Sequence, residues 1–156
     1  MVNLGSIIQD VIALRRKSAK DFAAFRKHYF GHSTPDGVFQ KELTGFLAQA
    51  SQKRGTRIAV AAPRGFGKSM IATCEYVIYC ICYKLEDFIV IISSTQSQVA
   101  DFLQNVKREL ETNERLTNDF PDVYKPDKKT SLERWSQAEI VTPNDVKVLA
   151  LSTGQQ

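Results

Sequence analysis

Apolar residues in the first third of the chain recur at the spacing of amphipathic helices. From Ser6 to about Tyr29 they stand mostly three or four positions apart, which predicts one or two helices with Ser6 available as an N-cap. A further helix is predicted from about residue 38 to residue 52. Residues 30–37, which concentrate Gly, Ser, Pro and Asp, predict the loop between them.

The pattern changes at Arg57. The short apolar run 57–63 predicts a buried parallel strand, and a helix over about 68–84, a strand at 88–92 and a helix from 96 to about 113 follow. Residues 113–130 predict a polar connector, and 139–142 and 146–151 predict two short strands around a turn. This order predicts an α/β fold with a parallel sheet flanked by helices, made of a helical N-terminal region, 1–55, and a core, 56–156.

Composition and charge narrow the class of protein. The 156 residues, 43% of them hydrophobic, suit a single packed domain. No apolar run is long enough to span a membrane and no secretory signal precedes the first helix, so we expect a soluble intracellular protein.

The first half of the chain is basic, because residues 1–78 hold 12 Lys and Arg against 5 Asp and Glu. This excess would suit a polyanionic partner, or the charges could simply lie on solvated faces of helices. The three cysteines, Cys74, Cys80 and Cys82, are expected to be buried thiols.

The sharpest chemical signal is the segment APRGFGKS, residues 62–69, between a predicted strand and a predicted helix. It departs from the phosphate-loop pattern GxxxxGK[ST] only at its first position. Glycines let the backbone N–H groups approach phosphate oxygens, the lysine reaches the phosphates, and the serine hydroxyl can ligate Mg²⁺. The alternative is an ordinary turn with an exposed lysine. The expected nucleotide-binding residues are Pro63, Arg64, Gly65, Phe66, Gly67, Lys68, Ser69 and Met70.

A hydrolytic site would also need an apolar strand that ends in Asp or Glu. None is found: the run 88–92 leads into Ser-Ser-Thr, and the run 146–151 leads into Ser-Thr-Gly. Arg64 could stabilise transition-state charge or pair with a carboxylate elsewhere. The sequence therefore predicts nucleotide binding more strongly than it predicts hydrolysis.

Four ordered segments resemble the N-terminal part of phage terminase large subunits, the ATPases that package DNA into viral capsids. They are FGHSTPDGVFQKEL at 30–43, VAAPRGFGKSMIAT at 60–73, IVIISSTQSQVADFLQNVKRELETNERLTNDFPDV at 89–123 and VKVLALSTGQQ at 146–156. The resemblance implies a RecA-like P-loop NTPase fold that ends here before the Walker B strand. The C-terminal nuclease domain of the family is absent from the sequence.

The resemblance also implies functions for particular residues. Lys68 and Arg64 would be catalytic, Ser69 would hold Mg²⁺, and Phe39 and Gln40 would lie near the adenine of ATP. Ser93 to Gln96 would face or couple to nucleic acid, or would simply cap a helix. The implied partners are double-stranded DNA, the small terminase subunit, the portal protein and further copies of the motor in the host cytoplasm of a phage or prophage.

Two other interpretations stay open at this stage. One is another P-loop motor, such as a helicase. The other is a non-catalytic, truncated prophage remnant that at most binds nucleotide or protein. If the chain is a terminase fragment, we expect it to hydrolyse ATP weakly or not at all by itself. We also expect an exposed sheet edge to favour association.

Overall fold

A computed structural model describes residues 4–31, 35–124 and 135–154 of the chain. Six α-helices are present in this part: α1 (Leu4–Ser18), α2 (Phe22–Tyr29), α3 (Val38–Ala50), α4 (Tyr76–Cys82), α5 (Gln96–Thr112) and α6 (Glu114–Asp119). A π-helical segment, Met70–Glu75, precedes α4. The strands are β1 (Phe88–Ser93), β2 (Glu139–Val141) and β3 (Lys147–Ser152).

Most of the predicted helices are confirmed, with boundaries set by local side chains. The N-terminal pattern forms two helices because the chain breaks after Ser18, and Asp21 then caps α2 by accepting from the backbone N–H of Ala24. Thr95 caps α5 in the same way. The connector predicted at 113–130 contains α6, which Asn113 caps, and its last six residues, 125–130, lie outside the described residues, as do positions 32–34 of the predicted loop.

The predicted RecA-like parallel sheet is wrong. The described residues form one small sheet in the order β1, β3, β2, in which β1 and β3 are parallel and β2 and β3 are antiparallel. The antiparallel pair follows from its connection, because a turn of a few residues can join only antiparallel neighbours. The fold is therefore a mixed α/β arrangement, with helices packed on a three-stranded sheet.

The strand predicted at 57–63 is also wrong. This segment pairs with no strand in the described chain, and Ile58 and Val60 are each 40% exposed. It lies beside α3, where Ile58 and Val60 line a cavity with Leu43. Apolar, β-branched composition favours a strand only where a neighbouring strand supplies hydrogen bonds, and β1 pairs with β3 instead.

An aromatic cluster joins the N-terminal helices to α4. Phe25 is fully buried at its centre. Its ring lies 4.7 to 6.3 Å from five others, centroid to centroid: Tyr29, Phe30, Tyr79, Tyr83 and Phe120. The predicted helical N-terminal region is thus packed against the helix that follows the glycine-rich loop.

Within the described parts of the chain, only one face of the sheet is covered. Helix α5 packs on β1 and β3, where Ile91, Val148 and Ala150 are buried. The opposite face presents Phe88, Val90, Ile92 and Leu151, which are exposed. Strand β1 is an edge strand without a charged residue or a proline. Such an edge is open to pairing with another chain.

The predicted burial of the cysteines is confirmed for Cys74 and Cys80, whereas Cys82 is half-buried, and all three are free thiols. Burial raises the pKa of Cys74 and of Cys80 from 9.0 to about 12. The unfolded thiols therefore ionise near pH 9 while the folded ones keep their protons. Their contribution to the free energy of unfolding is complete below about pH 9 and is lost as the pH rises toward 12.

We expect stability to fall with rising pH above about pH 9, by up to about 1.4 kcal/mol per pH unit for each thiol. Urea unfolding at several alkaline pH values checks this. The Cys74→Ala/Cys80→Ala variant should show a shallower pH slope, whatever its stability at neutral pH. An unchanged slope would contradict the assignment to these thiols.

Candidate functional site

The glycine-rich segment 62–69 forms a tight turn that leads directly into a helix. Gly65 and Gly67 have φ angles of +86° and +74°, which only glycine adopts without strain. No atom lies within 4 Å of the position that a Cβ would take at either glycine, so backbone conformation and not crowding requires them. Helical structure begins at Lys68, immediately after the second glycine.

The ammonium group of Lys68 lies inside this turn. Its Nζ donates to the carbonyl oxygen of Pro63 at 2.7 Å and also to that of Ala62. Both acceptors belong to the turn itself, so the lysine side chain curls back over the loop that precedes it. A phosphate oxygen would compete with these two neutral carbonyls for the ammonium group, and charge favours the phosphate.

The first helical turn presents Ser69 to solvent. Ser69 is exposed, its side chain makes no capping hydrogen bond, and its carbonyl accepts from the hydroxyl of Thr73 at 2.6 Å. The hydroxyl is thus positioned to serve as one oxygen ligand of Mg²⁺, for which phosphate and water would supply the others. Among the described residues, no group of three His, Cys, Asp or Glu side chains is placed to hold a metal ion. Ser69 is therefore the loop residue that could hold Mg²⁺ beside a bound phosphate.

A cavity of about 200 Å³ lies beside the turn. It is lined on one side by Gly65, Phe66, Gly67 and Met70, and on the other by residues at the start of α3 and by buried charged groups. Gln40 lines it and donates from Nε2 to the carbonyl oxygen of Phe66 at 3.3 Å. Nucleotide phosphates at the turn would therefore have an open space next to them.

Both residues expected near the adenine contact the loop. The Phe39 ring meets the Phe66 ring edge to face, with centroids 5.5 Å apart, and Gln40 holds the Phe66 carbonyl. The two differ in position, because Gln40 lines the cavity beside the turn, whereas Phe39 lines a separate cavity with the 57–61 segment. Of the remaining predicted residues, Pro63 and Arg64 are exposed in or next to the turn.

A buried ionic cluster forms one wall of the cavity, and sequence reasoning missed it. Arg26 donates from Nε to Glu75 at 2.5 Å and from Nη1 to Asp36 at 2.6 Å and to the Thr44 hydroxyl at 2.7 Å. Arg26 and Glu75 are almost completely buried. One side chain thereby connects α2, the segment before α3, α3 itself and the helix that follows the loop.

A signal for this cluster does exist in the sequence. Phe22, Phe25 and Tyr29 mark the buried face of α2, and Arg26 falls on that same face at helical spacing. A charged residue on an apolar face must be paired when it is buried. What the pattern cannot give is the partner, since Glu75 is 49 positions away.

The segment Ser93–Gln96, expected either to couple to nucleic acid or to cap a helix, has the geometry of a cap. Thr95 accepts from the backbone N–H of Gln98 at 3.3 Å, and the Ser93 carbonyl accepts from Thr153 at 3.0 Å. The cap accounts for Thr95, and the bond to the Ser93 carbonyl extends the backbone pairing of β1 with β3.

Comparisons with models of protein families, with curated proteins and with solved structures found no match to the chain. Helices long and apolar enough to cross a membrane are likewise not found among the described residues. The site itself is a glycine-dependent turn with a lysine folded into it, beside a cavity with a charged wall.

Proposed function

We propose that residues 62–69 bind the phosphates of ATP, and that the chain is the nucleotide-binding part of a viral terminase large subunit. The observation that carries the phosphate site is the turn itself. Gly65 and Gly67 hold it in positive-φ conformations, and the Lys68 ammonium sits within it on the carbonyls of Ala62 and Pro63. The assignment to terminases is supported by the four sequence segments alone.

In this proposal each loop residue has a defined task. The backbone N–H groups that follow Gly65 bind phosphate oxygens, and Lys68 leaves the two carbonyls to neutralise phosphate charge. Ser69 holds Mg²⁺, and Arg64, which is exposed next to the glycines, stabilises charge on the transferred phosphoryl group. The base occupies the cavity that Gln40 lines.

Weak hydrolysis by this chain is part of the proposal. A catalytic carboxylate must be available to orient the attacking water. The two acids that line the cavity, Asp36 and Glu75, are both engaged by Arg26. We therefore propose that the full motor hydrolyses ATP while this chain mainly binds it. DNA translocation, contacts with the small subunit and the portal, and residence in the host cytoplasm belong to the same proposal.

The test is ATP binding in the presence of Mg²⁺, measured by isothermal titration calorimetry. We expect saturable binding by the unchanged chain and a loss of affinity of about ten- to a hundredfold in Lys68→Ala, since a charge-assisted contact worth about 1.5 to 3 kcal/mol is removed. Lys41→Ala, which removes an exposed lysine of α3, is the matched control and should bind as the unchanged chain does.

Three results would contradict the proposal or a part of it. Equal affinity in Lys68→Ala and the unchanged chain would exclude the loop, and no binding by either would leave the remnant interpretation. Phosphate release at the rate of a complete packaging ATPase, lost in Lys68→Ala, would show that the loop functions but that the proposed inactivity of the chain is wrong.

A further inference from the structure

Helix α1 carries an apolar stripe that the rest of the described chain does not cover. Ile7, Val11 and Leu14, at spacings of four and three residues, are 44%, 39% and 66% exposed, and Ile8 beside them is 50% exposed. Such spacing is that of the d, a and d positions of a heptad repeat. The stripe therefore has the pattern of a helix-pairing surface.

Contacts that attach α1 to the body lie near the C-terminal end of the helix and on another side of it. The Arg16 guanidinium lies 4.8 Å above the Phe120 ring, the Arg16 carbonyl accepts from the Tyr83 hydroxyl at 2.8 Å, and Ala19 just beyond the helix is buried. On a helical wheel, residues 12, 16 and 19 face the body. The stripe at 7, 11 and 14 lies about 140° away from them.

A helix in this situation gains little stability from the chain it belongs to. Short helices are marginal in water by themselves, and most helical stability in proteins comes from packing of the apolar face. The first three turns of α1 are exposed on nearly every side. Covering the stripe would supply the missing packing.

The charges beside the stripe indicate what covers it. With Val11 at position a, Asp10 occupies g and Arg15 occupies the following e position. In a parallel pair of identical helices, residue g of one helix meets the next e residue of the other, so Asp10 meets Arg15 on both sides. Val11 at a with Leu14 at d is the combination that favours two parallel strands, whereas Ile7 occupies the other d position.

The antiparallel alternatives fit the same helix less well. Stacking Ile7 on Val11 of an antiparallel copy brings the two Asp10 side chains together, which is repulsive. Shifting the register to pair Asp10 with Lys17 places Ile7 opposite Ser18 and loses an apolar layer. Only the parallel, in-register pair satisfies the apolar and the charged positions together.

We propose that α1 is a homodimerisation helix that pairs in parallel with α1 of a second copy of this chain. The Ile7, Val11 and Leu14 side chains form the seam, flanked by two Asp10–Arg15 ion pairs between the copies. Arg15 keeps its 3.4 Å contact with Asp119 of its own chain, since a guanidinium offers several N–H donors. This proposal does not depend on nucleotide binding.

Sedimentation equilibrium of the full chain over a range of concentrations tests the pairing. We expect a monomer–dimer equilibrium that Val11→Asp abolishes. Asp10→Arg and Arg15→Glu, each alone, should weaken dimerisation about tenfold, since two attractive pairs become repulsive. An equimolar mixture of these two variants should restore the affinity, because each foreign charge then meets its opposite.

The mixture separates pairing from effects within one chain. Arg15→Glu also removes the Asp119 contact, but mixing cannot repair that loss. The open edge of β1 offers a second route to association, so Val90→Lys is the control and should dimerise as the unchanged chain does. The proposal is overturned by a monomer at all concentrations, by failure of the mixture to restore affinity, or by a dimer that Val90→Lys abolishes and Val11→Asp leaves intact.

Discussion

Replacing Arg26 by methionine is expected to destabilise the protein by about 3 to 5 kcal/mol. The substitution keeps an unbranched side chain of similar length but removes the guanidinium that Glu75, Asp36 and Thr44 all share. Glu75 would then lose the Arg26 guanidinium, and less of the desolvation cost of its buried carboxylate would be offset. Urea-induced unfolding at neutral pH measures the loss.

The matched control is Arg54→Met. Arg54 makes an ion pair of similar length with Glu86, 2.7 Å, but its side chain is 86% exposed, so we expect a change of about 1 kcal/mol or less. In the double variant Arg26→Met/Glu75→Gln, part of the stability should return, because the buried charge that has lost Arg26 is removed as well. Equal effects of Arg26→Met and Arg54→Met would contradict the view that burial makes this cluster important.

Replacing Phe25 by alanine is expected to cost about 3 to 5 kcal/mol. The ring is fully buried and contacts five other aromatic rings, so its removal leaves a cavity among large side chains that cannot easily collapse. Near-ultraviolet circular dichroism should also weaken, because the surrounding tyrosines lose their fixed environment. Thermal and urea unfolding measure the stability change.

Phe46→Ala provides the comparison for this substitution. This substitution removes the same atoms from a side chain of α3 that is 51% exposed. We expect the free energy of unfolding to change by no more than about 1 kcal/mol. A large effect at Phe46, or a small one at Phe25, would mean that the aromatic cluster does not hold the N-terminal helices against α4.

Periodicity was sufficient to predict those elements whose stability is local. Helix α5 has a regular apolar stripe and a threonine cap, and β1 is a short β-branched run between polar segments, so both could be located from nearby residues. The segment 57–63 has an equally strand-like composition, yet it forms no strand. Pairing depends on a distant neighbour, and an apolar run does not specify one.

In the candidate site, too, the residues that lie close together in the sequence could be predicted, and the contacts between distant residues could not. Gly65, Gly67, Lys68 and Ser69 are adjacent in sequence, and their spacing was enough to predict a turn entering a helix. Gln40 was expected near the adenine only through the family resemblance, and its hydrogen bond to the Phe66 carbonyl was not predicted. The ionic wall around Arg26 joins residues from 26 to 75, and no local pattern could identify that combination.

The π-helical segment Met70–Glu75 has a consequence for comparing this chain with others. Its Tyr76 N–H reaches back five residues to the Ile71 carbonyl, so the segment contains one residue more than a continuous α-helix would need. In a continuous α-helix, losing one residue would rotate everything that follows by about 100°. Because the π-helical segment accommodates one extra residue, a related chain that lacks it could keep the glycine turn and the buried face of α4 in the same relative orientation. Alignments should therefore allow a single-residue gap between positions 70 and 75. Glu75, the partner of Arg26, is the last residue of the π-helical segment.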